Sequence, residues 1–226
     1  MLVSCSAPVS LPPLASDAII VAYGDSLTSG SGASPGHAYP AGLATLTQRT
    51  VVNAGVPGEL REAGSQRLAA VLVEHAPRLL VLIHGGNDLL RGAGTAQLRA
   101  NLAAMLETAR ERGVAIVMMG VPDRGLWLRS ADVYQALADE FSVPIDTDTL
   151  PAILSDRQLK SDPIHPNDQG IPHARGIGLP VAGRPRRAVS HAFAHQLNAD
   201  GPWCLLFIVR RLPVCAGVCA ACMVAG

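Results

Sequence analysis

Charge is scarce in this chain: Asp, Glu, Lys and Arg make up 16% of its 226 residues, and the two signs cancel to a net charge of zero. With no excess of either sign, the composition favours neither nucleic acid nor an anionic membrane surface as a partner. Aromatic residues are few as well, at 4%, so a core has to be built from Leu, Val, Ile and Ala. Between Ala18 and Gly170 no run approaches the roughly 18 consecutive apolar residues that a membrane-spanning helix requires. That region is expected to be soluble. What is abundant is apolar content, 49%, which fits one domain with a full core and argues against disorder.

The cysteines are unevenly placed. Cys204, Cys215, Cys219 and Cys222 crowd the far end, but their spacings do not form a paired CxxC set and no histidine completes one in the usual order, so neither zinc nor any other metal is expected. Disulfides there would require an oxidising compartment, and His173, His191 and His195 read as incidental. The fifth cysteine closes Leu2-Val3-Ser4-Cys5, which resembles a bacterial lipobox. Such a signal needs a basic segment and an apolar run of about 7–15 residues upstream, and only Met1 stands there. Two readings stay open. Either the start lies further upstream and the protein is periplasmic or anchored to a membrane through a lipid on Cys5, or the match is chance and the chain stays cytoplasmic. Residues 1–17, with Pro8, Pro12 and Pro13, read as a tether.

From Ala18 onward apolar strand-like runs alternate with segments of helical spacing. Ile19 to Tyr23 is a buried strand that stops at Gly24-Asp25-Ser26, followed by a Gly/Ser-rich stretch. Ala41 to Arg49 is helix-like, and Val51 to Ala54 is a short strand running into Gly55-Val56-Pro57-Gly58-Glu59. Leu60 to His75 places Leu68, Val71 and Leu72 on one helical face. Leu79 to Ile83 is a continuous apolar strand of the kind buried on both faces, and its tip is His84-Gly85-Gly86-Asn87-Asp88. A helix over Thr95 to Arg112 ends at Gly113; a strand over 114–119, a helix over 131–141 and a short strand over 143–145 follow. This order predicts an α/β fold with a parallel sheet covered on both faces by right-handed crossovers, and sites in such sheets lie beyond the carboxyl ends of the strands.

Ser26, Gly58 and Asn87 all fall at those ends. Downstream, Ser161-Asp162-Pro163-Ile164-His165-Pro166-Asn167 sets a carboxylate three residues before a histidine in a proline-stiffened loop, where the acid can fix the tautomer and orientation of the imidazole. His165 would then act as base toward Ser26. Each residue has a plainer reading when it stands alone: Gly58 as a turn glycine, Asn87 as a helix cap, His165 as a surface histidine. Asp25 and Asp88 are assigned to loop hydrogen bonding.

Taken together, Gly24-Asp25-Ser26-Leu27, Gly58, Gly85-Gly86-Asn87-Asp88 and Asp162-Pro163-Ile164-His165 resemble the four signature blocks of the GDSL/SGNH hydrolase superfamily. The resemblance covers residues 18–170 and lies nearest the small bacterial esterases of the thioesterase, lysophospholipase and arylesterase type. It implies a flavodoxin-like three-layer sandwich and no cofactor. It also implies a serine hydrolase acting through an acyl-enzyme on small acyl esters or thioesters, with short acyl or aryl esters and lysophospholipids as candidates. By the same resemblance Ser26 is the nucleophile, His165 the base and Asp162 its partner. The oxyanion hole combines the backbone N–H groups of Ser26 and Gly58 with the Asn87 side-chain amide.

The loop over 120–129 follows the fourth strand, so Leu126, Trp127 and Leu128 either line an acyl groove or cover the core. After Gly170 the chain departs from the family: where relatives continue into an amphipathic helix, residues 171–226 carry Pro172 and a basic run at Arg184 to Arg187 with no clear helical face. A shifted reading frame near Gly170 would produce such an irregular tail. That departure leaves a rival reading, a remnant or binding module that keeps the fold without a working site. A nucleotide- or flavin-binding protein of the same fold would explain neither Asn87 nor the Asp162/His165 pair, and the chain lacks a phosphate-loop lysine pattern.

Overall fold

Two strands carry the centre of the sheet, and their residues show why it forms. β1 (Ile20–Gly24) and β3 (Leu79–Ile83) are buried along their whole length, as continuous apolar runs must be when helices cover both faces. β2 (Val51–Gly55) lies at the edge beside β1 and is only partly buried. β4 (Ala115–Met119) and the two-residue β5 (Ile145–Asp146) extend the other side. All pairings are parallel, in the order β2-β1-β3-β4-β5. This computed structural model describes residues 11–123 and 128–171. The expectations placed on Cys5, on Leu126 and Trp127, and on the tail beyond Ile171 with its cysteines and histidines lie outside the described residues.

The strand order makes the fold the expected flavodoxin-like one, with the direction of crossover reversing beside β1. Right-handed connections put α3 (Arg61–His75), α5 (Thr95–Glu111) and α6 (Asp132–Phe141) on one face, where α3 packs on α5 and α5 on α6. The same rule puts α2 (Tyr39–Thr47) on the opposite face. Leu68 and Leu72 of α3, Leu98, Leu102, Met105 and Leu106 of α5, and Tyr134 and Leu137 of α6 bury their apolar stripes against the sheet. Because Gly24 is in register with both Gly55 and Ile83, the first three strands end at one level.

Some boundaries differ from those the sequence predicts. α2 begins at Tyr39, two residues early, because Pro40 falls in its first turn, where a missing N–H costs nothing. α1 (Ser26–Ser29), α4 (Gly86–Leu90) and α7 (Thr149–Ser155) are short helices that the alternation of strand-like and helix-like segments does not include. Pro151 in α7 is tolerated for the reason Pro40 is: it sits third in the helix, among the N–H groups that have no partner inside it. Of the stretch expected as a tether, Leu11 is buried in the core and Arg49 donates to the carbonyls of Leu14 (2.6 Å) and Ala15 (2.8 Å).

Candidate active site

Ser26 follows directly on β1 as the first residue of α1. Asp25 caps that helix, its Oδ1 accepting from the Leu27 N–H at 3.1 Å. Gly30, in the left-handed region with φ 94°, ends the helix after one turn. The serine side chain is therefore presented at the carboxyl edge of the sheet by a short, capped turn, half-buried. Its backbone N–H, at the first helical position, has no acceptor within the helix.

The histidine arrives from the other end of the chain. Asp162 binds its own loop three times: Oδ1 accepts from the N–H groups of Ile164 (2.8 Å) and His165 (2.9 Å), and Oδ2 lies 2.7 Å from His165 Nδ1. Burial pushes the Asp162 carboxyl up, but the His165 ring and the two amides outweigh it and hold the group below the usual carboxylate range. A carboxylate only accepts, so Nδ1 carries the proton and the lone pair of Nε2 faces away from Asp162. Nε2 lies 3.0 Å from Ser26 Oγ. The hydroxyl can donate into that lone pair, and the three groups form one continuous hydrogen-bonded chain.

Two further contacts hold the histidine loop in place. Ser34 donates to Asp168 from its N–H and its hydroxyl, both at 2.7 Å, which ties the loop after α1 to the loop after His165. Beside that clasp Gly32 approaches so closely that a Cβ there would sit 2.8 Å from His165 Cβ and 2.8 Å from the Pro166 carbonyl oxygen.

Asn87 is the second residue of α4, at the end of β3. Its Nδ2 donates to the Glu59 carbonyl at 3.0 Å and lies 3.4 Å from Asp25 Oδ2. Gly58 occupies an exposed turn with φ 76°, closed by a bond from the Glu59 N–H to the Val56 carbonyl at 3.1 Å. Asp25 is buried at 1% exposure, and that burial raises its carboxyl above the ordinary value despite the Leu27 N–H. Asp88, equally buried, accepts from the Arg61 backbone N–H at 2.9 Å and pairs with its guanidinium. Both aspartates thus make the loop hydrogen bonds expected of them.

Ser26, Asn87 and His165 border a cleft of about 270 Å³ whose other walls include Leu90, Leu128, Leu154 and Ile164. Leu128 therefore lies at the cleft. Leu154 and Ile164 were not singled out by sequence. Leu154 reaches the cleft from α7, a helix the sequence does not announce, and Ile164 sits inside the Asp-Pro-Ile-His block, where its apolar side chain was the available signal. Sequence reasoning also passed over Glu59, Arg67 and His84, which form a hydrogen-bonded cluster, buried at Glu59 and His84 and half-buried at Arg67.

A parallel sheet of this order with a Ser-His-Asp chain at its carboxyl edge defines the architecture of an α/β hydrolytic enzyme. Residues 22–171 match the GDSL-like Lipase/Acylhydrolase family, more than half of the chain, and the protein belongs to that family. Esterase TesA of Pseudomonas aeruginosa is 35% identical over 129 residues, 54% of this chain and 63% of TesA, so the chain spans less than two thirds of that relative. Thioesterase 1/protease 1/lysophospholipase L1 of Escherichia coli is 32% identical over 170 residues, 70% of this chain and 79% of the relative. Among solved structures, the SGNH-hydrolase family esterase AlinE4 superposes with a TM-score of 0.57 at 31% identity, covering 73% of this chain and 94% of that one.

Proposed function

We propose that the protein is a serine hydrolase of carboxylic esters or thioesters working through an acyl-enzyme. The observation that carries this reading is the unbroken chain from Ser26 Oγ through His165 to Asp162. As Ser26 Oγ forms its bond to the acyl carbon, His165 Nε2 takes the hydroxyl proton and Asp162 stabilises the resulting imidazolium. The carbonyl oxygen becomes an oxyanion that accepts from the backbone N–H groups of Ser26 and Gly58 and from the amide of Asn87. Collapse breaks the bond to the alcohol or thiol, which leaves with the proton held on His165. Water then enters and gives a proton to the same nitrogen as its oxygen bonds to the acyl carbon; collapse breaks the bond to Ser26 Oγ, which takes the proton back from His165 as the acid leaves.

The apolar wall of the cleft supports an acyl or aryl group as the recognised part of the substrate. Its volume, about 270 Å³, is at the lower bound of typical ligand pockets, which supports short acyl and aryl esters ahead of long chains. The name of the Escherichia coli relative adds thioesters and lysophospholipids to the class. A fluorophosphonate probe tests the reaction: labelling is expected in the native chain and absent after Ser26→Ala. Folded protein that does not label would establish the rival, a fold that has lost its site. A series of p-nitrophenyl esters of increasing acyl length reads the preference, with turnover expected to fall once the chain outgrows the cleft.

A further inference from the structure

Behind the proposed oxyanion donors lies a cluster of charge that the chemistry just described does not use. The Glu59 side chain is 5% exposed and its two oxygens accept from Arg67 Nε and Nη2, both at 2.8 Å. His84, fully buried at the end of β3, points Nε2 at Glu59 Oε2 at 3.2 Å; since a carboxylate only accepts, that nitrogen is the donor. Burial would raise the Glu59 carboxyl, and the bonds from Arg67 and His84 bring it below its ordinary value. Arg67 also donates to the Ala54 carbonyl at 3.0 Å and lies 4.3 Å over the ring of Tyr23, which in turn stacks on His84 at 6.3 Å.

The placement of these contacts is what gives them meaning. Tyr23, on β1, lies three residues before Ser26; Ala54, on β2, lies four before Gly58; and His84, directly after β3, lies three before Asn87. One ionic cluster thus touches each of the three strand ends that deliver an oxyanion donor. Glu59 is its hub, because the same residue bonds through three separate groups. Its N–H closes the turn that holds Gly58, its carbonyl receives the Asn87 amide, and its carboxylate is locked from behind. Asn87 Nδ2 has two hydrogens: the Glu59 carbonyl takes one at 3.0 Å, and the other meets only the longer contact to Asp25 Oδ2 at 3.4 Å, from which a developing oxyanion can take it.

We infer that Glu59, clamped by Arg67 and His84, is a positioning residue that aims the Asn87 amide and the Gly58 turn at the developing oxyanion. This rests on the hydrolase reading above. An ionic cluster with a purely structural role would weaken the fold without favouring the transition state over the bound substrate. A positioning cluster acts on donors that matter only in the transition state, so its loss lowers kcat and leaves KM. Lysine cannot reproduce the two-pronged grip of Arg67 on the carboxylate, which makes Arg67→Lys a second, charge-preserving probe.

The test measures kcat and KM on p-nitrophenyl butyrate, with kcat expressed per Ser26 labelled by fluorophosphonate so that unfolded chains do not count. Glu59→Gln and Arg67→Lys are each made in the native chain and in the Asn87→Ala background. In the native background each is expected to lower kcat about ten-fold or more while KM stays within about two-fold, because one oxyanion donor is worth on the order of 10²–10³. In the Asn87→Ala background the further loss should shrink to under about three-fold, since the amide being aimed is gone. Unchanged kcat in the native background, or the same fold-loss in both backgrounds, overturns the positioning role. A native chain that does not label at Ser26 removes the hydrolase reading itself, whereas a labelled native chain with unaffected variants removes the positioning role alone.

Discussion

At the scale of single residues the site is a set of groups whose donor and acceptor capacities fit one another. The Asn87 amide is expected to act on charge that appears only in the transition state. Asn87→Ala should therefore cut kcat on the order of 10²–10³ and move KM little, measured by steady-state kinetics; equal losses in both would make Asn87 a substrate-binding residue. Asp162 gives the pH prediction. Its folded carboxyl titrates below its unfolded value, so its contribution to stability is complete above the ordinary carboxylate range and is lost as pH falls through the depressed value. The difference in Tm between the native chain and Asp162→Asn should accordingly narrow as pH is lowered below about 4, by thermal melts across pH. A difference that stays constant to pH 2 would mean that the Asp162 carboxylate contributes no linked stability.

At the scale of elements, α3 and α7 show how helices adjust the site from outside it. Gly64, a poor helix former in the body of α3, is needed because a Cβ there would lie 2.3 Å from His84 Nε2. Its carbonyl also accepts from the Tyr23 hydroxyl at 2.6 Å, so α3 is pressed against the ionic cluster at that point. Gly64→Ala is expected to destabilise by about 1–3 kcal/mol despite the better helix propensity of alanine, read as a shift in denaturant midpoint at constant m; a gain in stability would show that His84 can move aside. α7 supplies Leu154 to the cleft. Leu154→Ala should raise the relative kcat/KM for longer acyl esters, at roughly tenfold or more per accommodated methylene group, while costing about 2–5 kcal/mol of stability.

At the scale of the whole molecule, the site depends on contacts between segments that are far apart in sequence. The clasp between Ser34 and Asp168 joins residues 134 positions apart and ties the loop after α1 to the loop after His165. Asp168 is exposed, so Asp168→Ala should leave Tm within about 1–2 °C. It should nonetheless lower kcat severalfold by letting the imidazole wander from its 3.0 Å approach to Ser26 Oγ. Unaltered turnover would show that Gly32 and the proline-bounded loop suffice.

The sequence was most informative where the chain is locally self-sufficient. Buried strands such as Leu79–Ile83 read as unbroken apolar runs, and Asp162 lies three residues from the histidine it orients, so both the parallel sheet and half of the Ser-His-Asp chain were legible by spacing. The short helices α1, α4 and α7 were not, because one or two turns leave too little periodicity to separate a helix from a turn. Glu59, Arg67 and His84 read as ordinary residues because their meaning lies in a meeting of α3, the β2 turn and the end of β3. By itself the sequence determined the alternation of strands and helices, through local patterning, and the identity of Ser26, Asn87, Asp162 and His165 as candidates, through the resemblance of four spaced blocks to a known family. Only the tertiary structure decided that Ser26 meets His165, that Glu59 faces Asn87 and that Leu154 walls the cleft. Such contacts arise where the chain folds back on itself, and residue spacing along a strand or helix carries no record of them.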